Sequence, residues 1–208
     1  MLDKNIIKFI DKNLGQRKIL IETGFKNGDS LRYFLNYNFD KYYTIEFHQK
    51  YFTNQIGFLK MNADRVFPIT GDSAVELDKL LNELDNESPA CIYLDAHGHD
   101  SNISPLISEL KALKKHNRKD DLIIIDDAFF IENAQNDKKR SPWAREIIDS
   151  GYKMIDIYNL LREINGEDAI IEKIPYYGGP LYRTIFKKFN PYTEQGKNYH
   201  LVSRSKNI

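Results

Sequence analysis

Apolar runs of five residues recur along the chain at 18–22, 42–46, 66–70, 91–95 and 122–126, and each ends on an acid or a hydroxyl. Their length and their content of Ile, Val and Tyr predict buried strands. Between them the apolar positions take helical spacing. Leu31, Phe34 and Leu35 form one stripe, Leu77, Leu80, Leu81 and Leu84 a second, and Leu106, Ile107, Leu110 and Leu113 a third. Strands alternating with helices predict a parallel sheet with right-handed crossovers and helices on both faces. At the N-terminus, Ile6, Ile7 and Ile10 interleave with Asp3 and Asp11, which predicts an amphipathic helix rather than a signal peptide.

The pattern changes near residue 150. Ser141-Pro142 reads as a helix start and Gly151 as its end. Three strand-like runs follow, at 152–158, 169–174 and 182–187, with turn signals at Asn165-Gly166 and Gly178-Gly179-Pro180. With no helix between them, these runs are expected to pair antiparallel at one edge of the sheet. There is no internal repeat and no low-complexity linker, so the 208 residues read as a single α/β domain over 1–208.

Composition narrows the classes of function. Lys and Arg number 30 against 30 Asp and Glu, so no overall field attracts nucleic acid or an acidic membrane. The basic tail 197–208 and the cluster Lys138, Lys139 and Arg140 are read as solvated surface. Cys91, the single cysteine, lies inside an apolar run, which rules out an intrachain disulfide or a cysteine zinc site and points to a reducing compartment. No apolar stretch approaches the roughly 20 residues that span a bilayer. A cytoplasmic protein is expected (host cytoplasm for a viral source), without nucleic-acid partner or membrane insertion, and a homodimer is open to it.

Candidate chemistry lies at the ends of the strands. Glu22-Thr23-Gly24-Phe-Lys-Asn-Gly28 places an acid before two glycines four residues apart, and Asp29 or Ser30 can cap the helix that follows. Glu46, followed by Phe47, comes 24 residues after Glu22, the length of one βαβ crossover. A turn that approaches a ligand and a later carboxylate placed for a ribose diol predict an adenosine-containing ligand. Dinucleotide pyrophosphate would be repelled by a carboxylate at the first turn, whereas the ammonium and sulfonium of S-adenosyl-L-methionine (SAM) would be attracted. Gly71-Asp72-Ser73 ends the third run, where Asp72 can cap the helix that follows and, in the layout of the methyltransferases that this order of elements resembles, would also serve the adenine amine.

The fourth and fifth runs lead into Asp95, His97, His99 and Asp100, and into Asp126-Asp127. Both clusters are expected to face one cleft beside the cofactor. Adjacent acids after an apolar run repel one another, and a hard divalent cation (magnesium or manganese) held by Asp95, Asp126 and Asp127 would offset that cost. Methyl transfer to a hydroxyl also needs its proton removed, and His97 or His99, with Asp95 beside them, are the candidate catalytic groups. Phe129, Phe130, Trp143, Tyr176 and Tyr177 lie where an acceptor would sit.

The order of elements resembles that of the class I SAM-dependent methyltransferases. The set ETGxxxGDS, IE, GDS, LDAHG, PLISEL and IIIDD, over roughly residues 15–175, is similar to metal-dependent O-methyltransferases acting on macrolide sugars and on microbial or viral glycans. The resemblance implies a Rossmann-like sandwich whose mostly parallel seven-stranded sheet has an antiparallel C-terminal edge. It implies SAM on Glu22, Gly24, Glu46 and Asp72, a cation on Asp95, Asp126 and Asp127, and a sugar or glycan acceptor, for example rhamnose. In some relatives the base histidine stands where this chain has Gly98, so His97 and His99 both stay open. Two other readings compete: methylation of a small phenolic or natural-product hydroxyl, and a nucleoside- or NAD-binding module without methyl transfer.

Overall fold

The computed structural model describes residues 4–84, 88–97, 104–118, 120–136, 142–175 and 199–206. In chain order, the first elements are α1 (Lys4–Asn13), β1 (Ile19–Thr23), α2 (Asp29–Phe34), β2 (Lys41–Glu46), α3 (Gln49–Asn54), α4 (Ile56–Met61), β3 (Val66–Thr70) and α5 (Ser73–Glu83). They are followed by β4 (Ala90–Leu94), α6 (Leu106–Lys115), β5 (Leu122–Ile125), α7 (Phe129–Asn136), α8 (Pro142–Asp149), α9 (Met154–Asn165), β6 (Ile170–Pro175) and β7 (Tyr199–Arg204). The seven strands form one sheet in the order β3-β2-β1-β4-β5-β7-β6. Strands β1 to β5 pair parallel, and β7 runs antiparallel to both β5 and β6. The expected mostly parallel sheet with an antiparallel C-terminal edge is therefore what the chain forms.

Each strand feeds two cores because its side chains alternate across the sheet. Leu20, Tyr42, Cys91, Leu122, Ile124 and Val202 pack with α1 to α4. Ile21, Ile45, Ile92, Ile123 and Leu201 pack with α5 to α9. The predicted stripes supply the covering faces, with Leu77, Leu80 and Leu81 buried on α5 and Leu106, Ile107, Leu110 and Leu113 on α6. At the ends of the strands away from the acids, Arg118 clasps Asp121 through two hydrogen bonds of 2.8 Å, and Asp121 also accepts from the Ala90 N–H at 2.7 Å. Among the described residues no helix is long and apolar enough to cross a membrane.

Two expectations are corrected. The run 152–158, read as a strand, instead opens α9, whose buried side are Met154, Ile157, Leu161 and Ile164. Seven residues do not separate a period of two from a period of 3.6, and the following turns decide in favour of the helix. Asp156 accepts the Lys153 N–H at 2.7 Å, which closes its first turn. The tail, read as solvated surface, carries β7, with Tyr199, His200, Leu201, Val202 and Ser203 all buried. Its basic residues flank the strand rather than interrupt it. The third strand-like run, 182–187, and the turn 178–180 lie outside the described residues.

Because β7 has a neighbour on each side, Leu201→Ala should cost about 2–5 kcal/mol, as for deletion of a buried leucine elsewhere. Urea unfolding measures this, and a change within about 0.5 kcal/mol would instead mark 199–204 as surface.

Candidate cofactor and reaction site

The parallel ladder continues past the strand ends. Gly24 N–H donates to Ile45 O at 2.8 Å, Asp95 N–H to Thr23 O at 3.0 Å, Asp126 N–H to Leu94 O at 3.0 Å and Gly71 N–H to Glu46 O at 3.0 Å. These bonds place the ends of β1, β2, β4 and β5 side by side. Register does the rest. Glu22 lies opposite Thr44 and Tyr93, and Tyr93 opposite Ile124. Stepping by two residues along each strand then puts Glu22, Glu46, Asp95 and Asp126 on one face.

Glu22 is fully buried. Its Oε2 accepts from Thr44 Oγ1 at 2.7 Å, while Oε1 has no hydrogen-bond partner among the described residues. Burial pushes its carboxyl up to about 8, against the pull of the Thr44 hydroxyl and with a further push from Glu46. A buried acid with an orphaned oxygen is a place for a cationic ligand group. Above it, Gly24 has a φ of 86°, and a Cβ there would run into the Asp95 carbonyl. Only glycine lets the two strand ends approach so closely. Gly28 adopts a left-handed φ of 71° at the N-cap of α2 without a side-chain cap, so Asp29 and Ser30 do not cap the helix but stand in its first turn.

The Glu46 carboxylate ties the β1 turn to the β2 end. Oε2 accepts from Lys26 N–H at 2.8 Å and Oε1 from His48 N–H at 2.9 Å, leaving one lone pair on each oxygen. Phe47 beside it is 58 % exposed, an apolar ring at the mouth of the turn. Asp72 caps α5 by accepting from Ala74 N–H at 3.0 Å, next to the buried Ser73. Thr23 points to the other face. There, and unnoticed in the sequence, lies the buried Glu109 of α6, raised to about 7 by burial and moderated by the Ser73 and Thr23 hydroxyls.

On the other side of Glu22 the carboxylates crowd. Asp95 is raised well above its ordinary value by burial, then by Asp126, Asp127 and Glu22. Asp126 goes the other way. Burial pushes it up, but His200 by charge and hydrogen bond, with Tyr93 and then His97, holds it below the usual carboxylate range. Its Oδ1 lies 2.6 Å from His200 Nδ1 and accepts from Asp127 N–H at 2.9 Å, while Oδ2 accepts from the Tyr93 hydroxyl at 2.7 Å. Asp127 takes a left-handed φ of 51°, a conformation costly for a residue with a side chain. His97 Nε2 stands 2.7 Å from Asp126 O. A carbonyl only accepts, so Nε2 donates in this contact.

The structure thus brings Glu22, Gly24, Glu46, Asp95, His97 and Asp126 to one end of the sheet. The structure lends the expected cation on Asp95, Asp126 and Asp127 no support. Among the described residues no group of His, Cys, Asp and Glu is arranged to hold a metal ion, and the Asp126 oxygens already face protein donors. Of the aromatics assigned to the acceptor, Phe129 is 6 % exposed and packs in the core against Phe130 and Tyr199. His99, Asp100, Tyr176, Tyr177 and the Trp143 side chain lie outside the described residues. His200 escaped the sequence reading because it stands in a tail taken for surface. The one signal for it is the apolar Leu201-Val202 that follows.

No family model matches the chain, and no curated protein does. Solved structures do. An O-methyltransferase from Bacillus cereus in complex with S-adenosylhomocysteine (SAH) is similar at a TM-score of 0.64 and 16 % identity, over 99 % of this chain and 83 % of that one. TomG from Streptomyces achromogenes, an O-methyltransferase involved in tomaymycin synthesis and crystallised with SAM, matches at 0.60 and 14 %, over 97 % and 79 %. The methyltransferase domain of bacterial CtHen1 matches at 0.55 and 13 %, over 96 % and 95 %. At these identities the likeness is one of fold, and the fold is that of the Rossmann-like methyltransferases.

Glu22 should leave a mark on the ligand-free protein. The folded chain keeps its proton up to about pH 8, while the unfolded chain releases it near the ordinary 4.5 of a glutamate, so stability falls as pH rises through that window. Glu22→Gln removes this loss. Urea midpoints of the variant should gain on the wild type steadily between pH 5 and pH 8, and parallel curves would disprove the burial effect.

Proposed function

We propose that this chain is a SAM-dependent O-methyltransferase that methylates a hydroxyl of a sugar or glycan, within a single domain. The observation that carries the reading is Glu22, buried with one oxygen orphaned and its carboxyl raised to about 8, directly below the Gly24 turn. A ligand bearing fixed positive charge would return that carboxylate to its ionised form, and NAD, with its pyrophosphate, would not. The fold shared with structures that hold SAM or SAH supports the same ligand. The sugar acceptor rests on the resemblance of the strand-end motifs.

Bound SAM supplies an electrophilic methyl group on a sulfonium and departs as a neutral thioether. Glu22 would hold the cationic end. The remaining lone pairs of Glu46 would take the ribose hydroxyls, and Phe47 would cover the adenine with Asp72 at its edge. The acceptor oxygen would bond to the methyl carbon as the carbon–sulfur bond breaks, and His97 would take its proton. Asp95, its carboxyl raised well above the ordinary range by burial and its acid neighbours, can in its acid form donate a hydrogen bond to the acceptor and orient it. Removing water and aligning the two reactants supplies most of the remaining acceleration. A natural-product hydroxyl is the second reading, favoured by the likeness to an enzyme of tomaymycin synthesis.

Three measurements test this. Calorimetry should show SAM binding with proton release below pH 8, and Glu22→Gln should weaken it at least about tenfold, on the order of 1.4 kcal/mol. Tighter binding of NAD than of SAM would overturn the reading. His97→Ala should lower kcat on the order of 100-fold, the scale of general base catalysis, while SAM affinity stays within about twofold. Release of SAH across a panel of deoxyhexosides and phenols then separates the two acceptor classes.

A further inference from the structure

We infer that His200 of β7 occupies, on Asp126, the place that a divalent cation would need, so that this site works on protein donors instead of a metal and His200 is its positioning residue. The register places it there. Ile125 pairs with Leu201 and Ile124 with Val202, so the next step sets Asp126 opposite His200, on the face shared by the other acids. His200 Nδ1 lies 2.6 Å from Asp126 Oδ1, within ion-pair distance, so the ring covers that oxygen.

A carboxylate offers about four lone-pair sites, two on each oxygen. Both sites of Oδ1 are used, by His200 Nδ1 and by the Asp127 N–H at 2.9 Å. Oδ2 accepts from the Tyr93 hydroxyl at 2.7 Å, and Tyr93 is held in the sheet by its pairing with Glu22 and Ile124. A cation would be left the one remaining site, on Oδ2 beside the Tyr93 hydroxyl. Magnesium demands near-ideal octahedral geometry, and this carboxylate offers it a single direction of approach. The left-handed φ of Asp127 stands next to the same carboxylate, one residue past it. Through the Asp126 carbonyl, bonded to His97 Nε2, the fixed carboxylate also fixes the proposed base.

The inference rests on the methyltransferase reading for its activity arm alone. Titration of the full chain with manganese, followed by electron paramagnetic resonance, should show no site dependent on Asp126 tighter than about 1 mM, the range of weak, poorly built oxygen sites. His200→Ala uncovers Asp126 and should raise manganese affinity at least tenfold, and Asp126→Ala in that background should abolish the gain. Micromolar manganese binding by the wild type that is lost in Asp126→Ala overturns the inference. So does a folded His200→Ala protein without any gain. His200→Gln, which can still donate a hydrogen bond, should restore the low affinity of the wild type.

Turnover gives the second arm. Protein stripped with a strong chelator should keep its kcat within twofold, and His200→Ala should lose kcat while SAM affinity stays constant. Chelation that abolishes turnover, restored by magnesium, overturns the inference while leaving methyl transfer intact. Absence of SAH formation with and without metal instead defeats the methyltransferase reading, and the manganese titration still decides the role of His200.

Discussion

Acids set side by side on one face of a sheet must either find positive partners or keep their protons, and this constraint governs the whole carboxyl end of the molecule. Neighbouring strands stand about 4.8 Å apart, so Glu22, Glu46, Asp95 and Asp126 cannot escape one another by rotation alone. At such spacing two unscreened charges interact by several kcal/mol even in a medium of intermediate polarity. The chain meets the constraint in three ways. Glu46 is held by two backbone N–H groups, Asp126 by a histidine, a tyrosine and an amide, and the carboxyls of Glu22 and Asp95 are raised toward their acid forms.

The backbone makes this crowding unavoidable. Gly24 packs against the Asp95 carbonyl, and the Thr23 and Leu94 carbonyls accept from the next strand's first residue past its end. Opening the row to relieve repulsion would break the ladder that aligns it. The opposite end of the sheet is secured separately by Arg118 and Asp121, which sit in a neutral pair and impose nothing on the acids. Strain is stored at the row itself, in the left-handed Lys26 and Asp127.

Much of this was legible in the chain because β1 to β5 are short, continuous apolar runs buried on both faces, the pattern with least ambiguity once helices alternate with them. The acids at their ends follow from the same reading, since in such a sheet ligands gather at those ends. What was not legible depended on distant pairing. The segment 152–158 alternates well enough for a strand, and only packing of Met154, Ile157, Leu161 and Ile164 on the sheet makes it helical. The tail looked polar because Arg204 ends and Lys206 follows a strand whose burial comes from β5 and β6, far away in the chain. His200 is hidden for that reason. So was the fate of the adjacent acids: a cation was the partner a sequence could name, whereas a histidine 74 residues later is visible only once β7 lies beside β5.

The row therefore divides at Glu22. On the Asp126 side, described protein groups already meet the carboxylate from three directions. On the Glu22 side one oxygen is left without a partner, and the adjoining Glu46 keeps lone pairs beside an exposed ring. A site that must exchange a charged cofactor at each turnover benefits from such incompleteness, because the ligand's charge completes the electrostatics and its departure costs only a proton taken up by Glu22. A site that must hold a base in fixed aim benefits from the reverse. The same sheet face provides both, one adjustable and one rigid, with Asp95 at the seam between them.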